Sequence, residues 1–286
     1  MSVTGDSVLL IGESGVGKTH YGAQLLRRLM NGDGLLRMNG QATNLDPFEA
    51  ALARLDEGMS ADHTATSTYV DSLWPVSSAR GRQADLVWPD YGGEQIRSMI
   101  ASRRVPTAWA TRARDAKAWL LLIRLQAIRT SDDIFSRQLA DLRDSPASDG
   151  GGRTSDQARL IELLQMLIYV AGVTGGSPID RPRLGVLLTC WDELDPEQDP
   201  GTALASALPM LWDFLHSSWR TPSVMGLSAL GRALKPDVQD DQYVAHGAEH
   251  FGYVIRTDGS RSPDLTEPIH MLLDETEQPG AQGTRE

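Results

Sequence analysis

The stretch Val8-Leu9-Leu10-Ile11-Gly12-Glu13-Ser14-Gly15-Val16-Gly17-Lys18-Thr19 decides how the rest of the chain is read. Ser7–Ile11 is apolar without alternation, as in a short strand buried on both faces. From Lys18 to Met30 the period changes. Tyr21, Leu25, Leu26 and Leu29 fall on one face, and Asn31-Gly32 supplies a helix stop. Between strand and helix lies G-x-x-x-x-G-K-[ST], a spacing with a mechanical reason at each position. The glycines let successive N–H groups of Gly12, Glu13, Ser14, Gly15, Val16 and Gly17 turn inward. The helix that opens at Lys18, Thr19 and His20 points its positive dipole end at the same place. An anion with several oxygens is the ligand such a loop fits. Lys18 would set a point charge between β- and γ-phosphates, and the Thr19 hydroxyl would ligate Mg²⁺.

Outward from this motif, strands and helices alternate. Asp46-Pro47-Phe48-Glu49 opens a helix running to about Gly58, with Asp at the N-cap and Pro at the first position. Tyr69–Val76 and Gln83–Trp88 are expected as strands around a turn at 79–82. A helix over Glu94–Arg104, a strand over Ala118–Leu125, an all-round apolar helix over Leu160–Val170 and a strand over Leu184–Thr189 follow. Gly201–Trp219 is expected as a helix kinked at Pro209. A strand over Ser223–Leu227 and a helix over Ser262–Leu273 complete the series. Most of the strands are apolar throughout, which predicts an α/β fold with a largely parallel sheet covered on both faces. The expected organisation is one domain over residues 1–275, with insertions at about 33–63 and 142–156, and a disordered tail over 276–286.

The chain has 286 residues, 41% apolar and 23% charged, with a net charge of -11. The acidity argues against binding nucleic acid, since phosphate backbones repel an acidic surface. No apolar run approaches the ~20 residues of a membrane-spanning helix. A single cysteine, Cys190, excludes an internal disulfide framework and a cysteine zinc site. With no secretion signal in view, a cytoplasmic location is the expectation. Lysine occurs only at positions 18, 117 and 235 in an arginine-rich chain, which makes Lys18 in the loop more informative.

Two further segments narrow the chemistry. Asp90-Tyr91-Gly92-Gly93-Glu94 follows the strand Gln83–Trp88 and fits D-x-x-G. There Asp90 could hold a Mg²⁺-bound water and the Gly93 N–H could meet the γ-phosphate. Thr189-Cys190-Trp191-Asp192 closes the strand Leu184–Thr189, and Asp192 could accept both N1–H and N2–H₂ of guanine, a contact adenine cannot make.

On these motifs the chain resembles the translation-factor-related (TRAFAC) GTPases, the superclass that holds the Ras-like proteins, from Ser7 to about Leu230. The resemblance implies a three-layer P-loop NTPase sandwich. It also implies GTP or GDP with Mg²⁺ as ligands, and a nucleotide-dependent switch acting on a protein effector. Thr189–Asp192 matches [NT]-K-x-D at its first and last positions. Ser228-Ala229-Leu230 resembles the S-A-K loop that covers the base. A magnesium-sensing threonine is implied before the strand Tyr69–Val76, with Thr64, Thr66 and Thr68 as candidates and Thr66 preferred by spacing. Catalysis would involve Lys18, Gly93 and Glu94. Two departures stand out. Cys190 replaces the lysine that packs against the base, and Glu94 stands where many relatives place the glutamine that orients water, with Gln95 one residue out of register. Slow hydrolysis, a non-hydrolysing nucleotide-binding scaffold, and an ATPase of another P-loop branch are therefore the three readings in play. Homodimer and hetero-complex both stay open. The extra helix at 46–58, the D-Y-G-G-E segment and the F-G-Y-V-I…D-L-T-E-P-I tail are similar to bacterial double-GTPase relatives from conflict and anti-phage gene neighbourhoods.

Overall fold

In the computed structural model, residues 6–61, 71–89, 94–128, 155–173, 178–194 and 197–274 are described, Glu94 by its backbone alone. One nine-stranded sheet organises them, in the order β2-β3-β4-β1-β5-β6-β7-β8-β9. Its parallel centre is β4 (Gln83–Trp88), β1 (Asp6–Ile11), β5 (Ala118–Ile123), β6 (Arg183–Thr189) and β7 (Ser223–Ser228). Antiparallel strands flank it: β3 (Ser72–Ser78) and β2 (Leu36–Met38) on one side, β8 (Tyr253–Ile255) and β9 (Arg261–Ser262) on the other.

Helices cover both faces, as the unbroken apolar strands require. In β1, Leu9 and Ile11 join a core shared with α3 (Glu94–Ser102), α4 (Thr107–Asp115), α5 (Asp156–Ala171), α6 (Pro200–Ala207) and α7 (Pro209–Ser218). Val8 and Leu10 point the other way, into a core shared with α1 (Lys18–Asn31), α2 (Asp46–Asp56) and α9 (Glu267–Leu273). On that side Phe48 of α2 meets Trp74 edge-on at 4.8 Å and Trp88 at 5.2 Å, fixing the inserted helix onto the sheet. A short α8 (Asp241–His246) packs against α2.

Several expectations need correction. Pro209 does not kink one long helix. Leu208 leaves helical geometry, at φ -136° and ψ 63°, and Pro209 opens a new helix, where its missing N–H costs nothing. The helix expected to be apolar all round is one-sided. Leu160, Leu163, Leu164 and Leu167 are buried while Tyr169 is 85% exposed, and the helix starts earlier, at Asp156 with Ser155 as N-cap. The last helix begins at Glu267, because Arg261-Ser262 first pairs with β8. Strand β2 and helices α4 and α8 had no clear periodicity in so few residues. Arg80, Arg82 and Arg103 lie in ion pairs with Asp274, Asp6 and Glu162. No helix among the described residues is long and apolar enough to cross a membrane.

Candidate nucleotide site

The loop Gly12–Gly17 leaves the carboxyl end of β1, the strand from which the chain runs to β4 on one side and to β5 on the other. Open α/β sheets bind ligands at such a switch point. Gly15 and Gly17 both have φ 80°, a left-handed conformation that bends the loop into a concavity and that a side chain would strain. Gly17 is also the N-cap of α1, and no side chain caps that helix or places a carboxylate in its first turn. The first N–H groups of a 14-residue helix are thus presented to the loop.

Lys18 Nζ donates to the carbonyls of Gly12 (2.7 Å) and Glu13 (2.6 Å), so its charge sits inside the loop's curve. Burial lowers its pKa to about 8, against the opposing pull of the Glu13 carboxylate. Glu13 is itself only 8% exposed. Its two oxygens take Nε and Nη2 of Arg159, on α5, at 2.8 and 2.9 Å, and Arg97 of α3 lies 3.9 Å away. Arg159 also pairs with Asp156 at 2.8 Å. Burial works against the Arg159 charge, but Glu13 and Asp156 together hold its pKa above the ordinary value. The phosphate loop is thereby anchored to two helices on the far side of the sheet. A chain-local motif gives no hint of this: 146 residues separate Glu13 from Arg159.

The side expected to face a base is built from the ends of β6 and β7. Thr189 turns its hydroxyl to the Ile123 carbonyl at 3.2 Å. Cys190 takes φ 54°, which reverses the chain into a short 3-10 turn, Trp191–Glu193. Burial pushes the Cys190 thiol up to about 11. Asp192 accepts from Ser228 Oγ at 2.5 Å, and Ser228 Oγ in turn accepts from the Gly231 amide at 2.9 Å. The two distant segments Thr189–Asp192 and Ser228–Leu230 therefore meet through one hydrogen bond. Ala229 packs at the edge of the core that holds α1, and Leu230 packs beside Ala23, Leu55 and Tyr243. Trp191 lies over Gly226, where a Cβ would stand 2.6 Å from the indole. Tyr253, paired in register with Ser228 from β8, adds a ring that carries Arg261 3.6 Å above its centre. Burial and then the Asp192 charge raise the pKa of that phenol. Tyr253 and Arg159 belong to the site's surroundings, and periodicity in the sequence marks neither.

His20 accepts the Ala61 amide at Nε2 (3.0 Å), which ties α1 to the start of the threonine-rich stretch. Thr64, Thr66, Thr68, Asp90 and Gly93 lie outside the described residues, as does the Glu94 side chain. Among the described residues no group of three or more His, Cys, Asp or Glu side chains could hold a metal ion. A Mg²⁺ that arrives on a triphosphate does not need one. The cradle itself fits such a ligand: a loop turned by Gly15 and Gly17 onto the start of α1, an inward lysine, and Thr19 in the first turn of that helix.

A phosphate loop after β1 and a held aspartate in the turn after β6, both at the carboxyl ends of the parallel strands, define a P-loop nucleotide-binding protein. The chain belongs to the Double-GTPase 1 family, whose model matches residues 9–272. Guanine-nucleotide binding goes with that membership. Among solved structures the chain is similar to the signal recognition particle receptor SRb-GTP/SRX complex from Chaetomium thermophilum. The identity there is 16% and the TM-score 0.39, over 82% of this chain and 94% of that one. It is also similar to the S. cerevisiae Ski7 GTPase-like domain bound to GDP and inorganic phosphate, at 12% identity and a TM-score of 0.40 over 85% and 48%. Bacterial selenocysteine-specific elongation factor EF-Sec follows at 14% and 0.34, with 80% of this chain and 26% of that one covered. A comparison with curated proteins finds no match.

Proposed function

We propose that the protein is a Mg²⁺-dependent GTP/GDP switch that hydrolyses GTP slowly and presents its nucleotide state to a protein partner. The observation that carries the reading is the Ser228–Asp192 hydrogen bond at the same carboxyl end of the parallel strands as the Lys18 loop. It orients a carboxylate for N1–H and N2–H₂ of guanine at one end of the site while the loop holds phosphates at the other. Mg²⁺, when bound, would neutralise charge on the phosphates. Thr19 would hold it, with Thr66 as a further ligand and Asp90 through a bound water. Lys18 stabilises charge that develops on the phosphates, and the α1 amides orient them. Gly93 and Glu94 follow β4 in the chain, where the D-x-x-G resemblance implies a contact with the terminal phosphate. A carboxylate at Glu94 accepts a hydrogen bond from water but repels the γ-phosphate, which is why hydrolysis is proposed as slow. A nucleotide-dependent change in the threonine-rich stretch 63–68 and in 90–95, read by a partner, is the proposed output.

Single-turnover GTP hydrolysis tests the reading. Turnover that needs Mg²⁺ and is abolished by Lys18→Ala supports it. Tight GTP binding with no turnover establishes a non-hydrolysing scaffold instead. For the base, Asp192→Asn should shift preference from guanine towards xanthine, and ATP displacing labelled GDP as well as GTP does would refute guanine readout.

A further inference from the structure

The loop that carries Asp192 lacks a cation of its own, because Cys190 occupies its second position. A cation nevertheless reaches it from the neighbouring strand. Arg124, the residue after β5, donates Nε and Nη2 to the two Glu193 oxygens at 3.0 and 2.5 Å. Its remaining arm, Nη1, lies 3.5 Å from the Gly15 carbonyl, in the phosphate loop. Gln126 adds a hydrogen bond from Nε2 to the Glu193 carbonyl at 3.3 Å. One planar guanidinium thus spans the two loops that must act together on a nucleotide, with Asp192 immediately before the residue it grips. Guanidinium forks hold two oxygens in a fixed geometry, which an ammonium does not. The pair is partly exposed, at 36% and 28%, so it contributes little to folding by itself. Its placement matters instead. Cys190 Sγ lies 3.8 Å from where a Gly17 Cβ would stand, so the two loops also run close together here.

We propose that Arg124 is a positioning residue that clamps the base-recognition loop to the phosphate loop through Glu193 and Gly15, and so sets the residence time of guanine nucleotide. The inference rests on the guanine-nucleotide reading above. Losing the clamp frees the Asp192 loop to move away from the phosphate loop, which speeds release without touching either ligand contact.

The test is stopped-flow release of fluorescent N-methylanthraniloyl-GDP from the full chain with Mg²⁺ present. Arg124→Ala should raise the release rate about three- to fivefold, the scale of one partly exposed ion pair. Glu193→Ala should do the same, and the double substitution should add little to either. The urea midpoint of the nucleotide-free protein should stay where it is. Arg124→Lys, which keeps the charge but not the fork, should recover part of the loss. Release within twofold of the parent in Arg124→Ala, additive effects of the two alanines, or no recovery with Arg124→Lys overturns the clamp. A parent chain that does not retain the fluorescent GDP overturns the guanine-nucleotide reading and the clamp together. A parent that retains it while Arg124→Ala is unchanged overturns the clamp alone.

Discussion

Replacing Arg159 by alanine asks how firmly the phosphate loop is anchored. The Glu13 side chain is a tenth exposed and the Arg159 side chain about a quarter, at 10% and 26%. Truncating the arginine removes two charge-assisted hydrogen bonds and strands a carboxylate that is nearly out of water. Breaking a fully buried pair in this way costs about 3–5 kcal/mol. Arg159 is partly solvated, and Arg97 stands 3.9 Å from the abandoned Glu13. The expected loss in Arg159→Ala is therefore lower, about 2–3 kcal/mol. Glu13→Ala should cost less, about 1 kcal/mol, because Arg159 keeps Asp156 and water. Once Glu13 is gone, removing Arg159 as well has little left to break, so the double variant should lie well short of the sum. The coupling expected is about 1.5 kcal/mol, outside the few tenths within which independent sites add. Urea unfolding of the four proteins, followed by tryptophan fluorescence without nucleotide, measures it. Additivity within about 0.5 kcal/mol would show that the pair does not anchor the loop. A change in m alongside the midpoint would point to altered compactness instead of a lost interaction.

Two other perturbations probe the base side. Gly226→Ala places a methyl group 2.6 Å from the Trp191 ring, next to Asp192. Overpacking of this kind should cost about 1–3 kcal/mol in urea unfolding, and the affinity for GDP should fall more than that for inorganic triphosphate; equal losses would mean that Trp191 does not position Asp192. Cys190, with its thiol near 11 in place of the ordinary 9.0, should alkylate about a hundredfold more slowly than a free thiol at pH 8. The rate should then rise about tenfold per pH unit up to pH 10 as thiolate forms, and a rate that levels off near pH 9 would contradict the burial that raises the thiol.

Local chemistry made part of this protein legible in one dimension. The phosphate loop is contiguous, so its glycines, lysine and threonine declare themselves within eight residues. The strands β1, β5 and β6 carry unbroken apolar runs because both faces are covered, and that too can be read along the chain. Asp192 and Ser228 could each be proposed from short motifs, but their hydrogen bond depends on β6 and β7 lying side by side with ends in register. Short elements such as β2, α8 and β9 carry too few residues for a period to emerge, and their identity comes from their neighbours.

What the sequence by itself determined is the phosphate loop, its helix, and an α/β alternation around them, because each depends on residues adjacent in the chain. Only the tertiary structure decided what surrounds that loop. Glu13 finds Arg159, Arg124 finds Glu193 and Gly15, and Tyr253 comes to stand beside Ser228, all across strands distant in sequence. Charges and rings have no periodicity that names a partner, so such pairings follow from sheet order and burial alone.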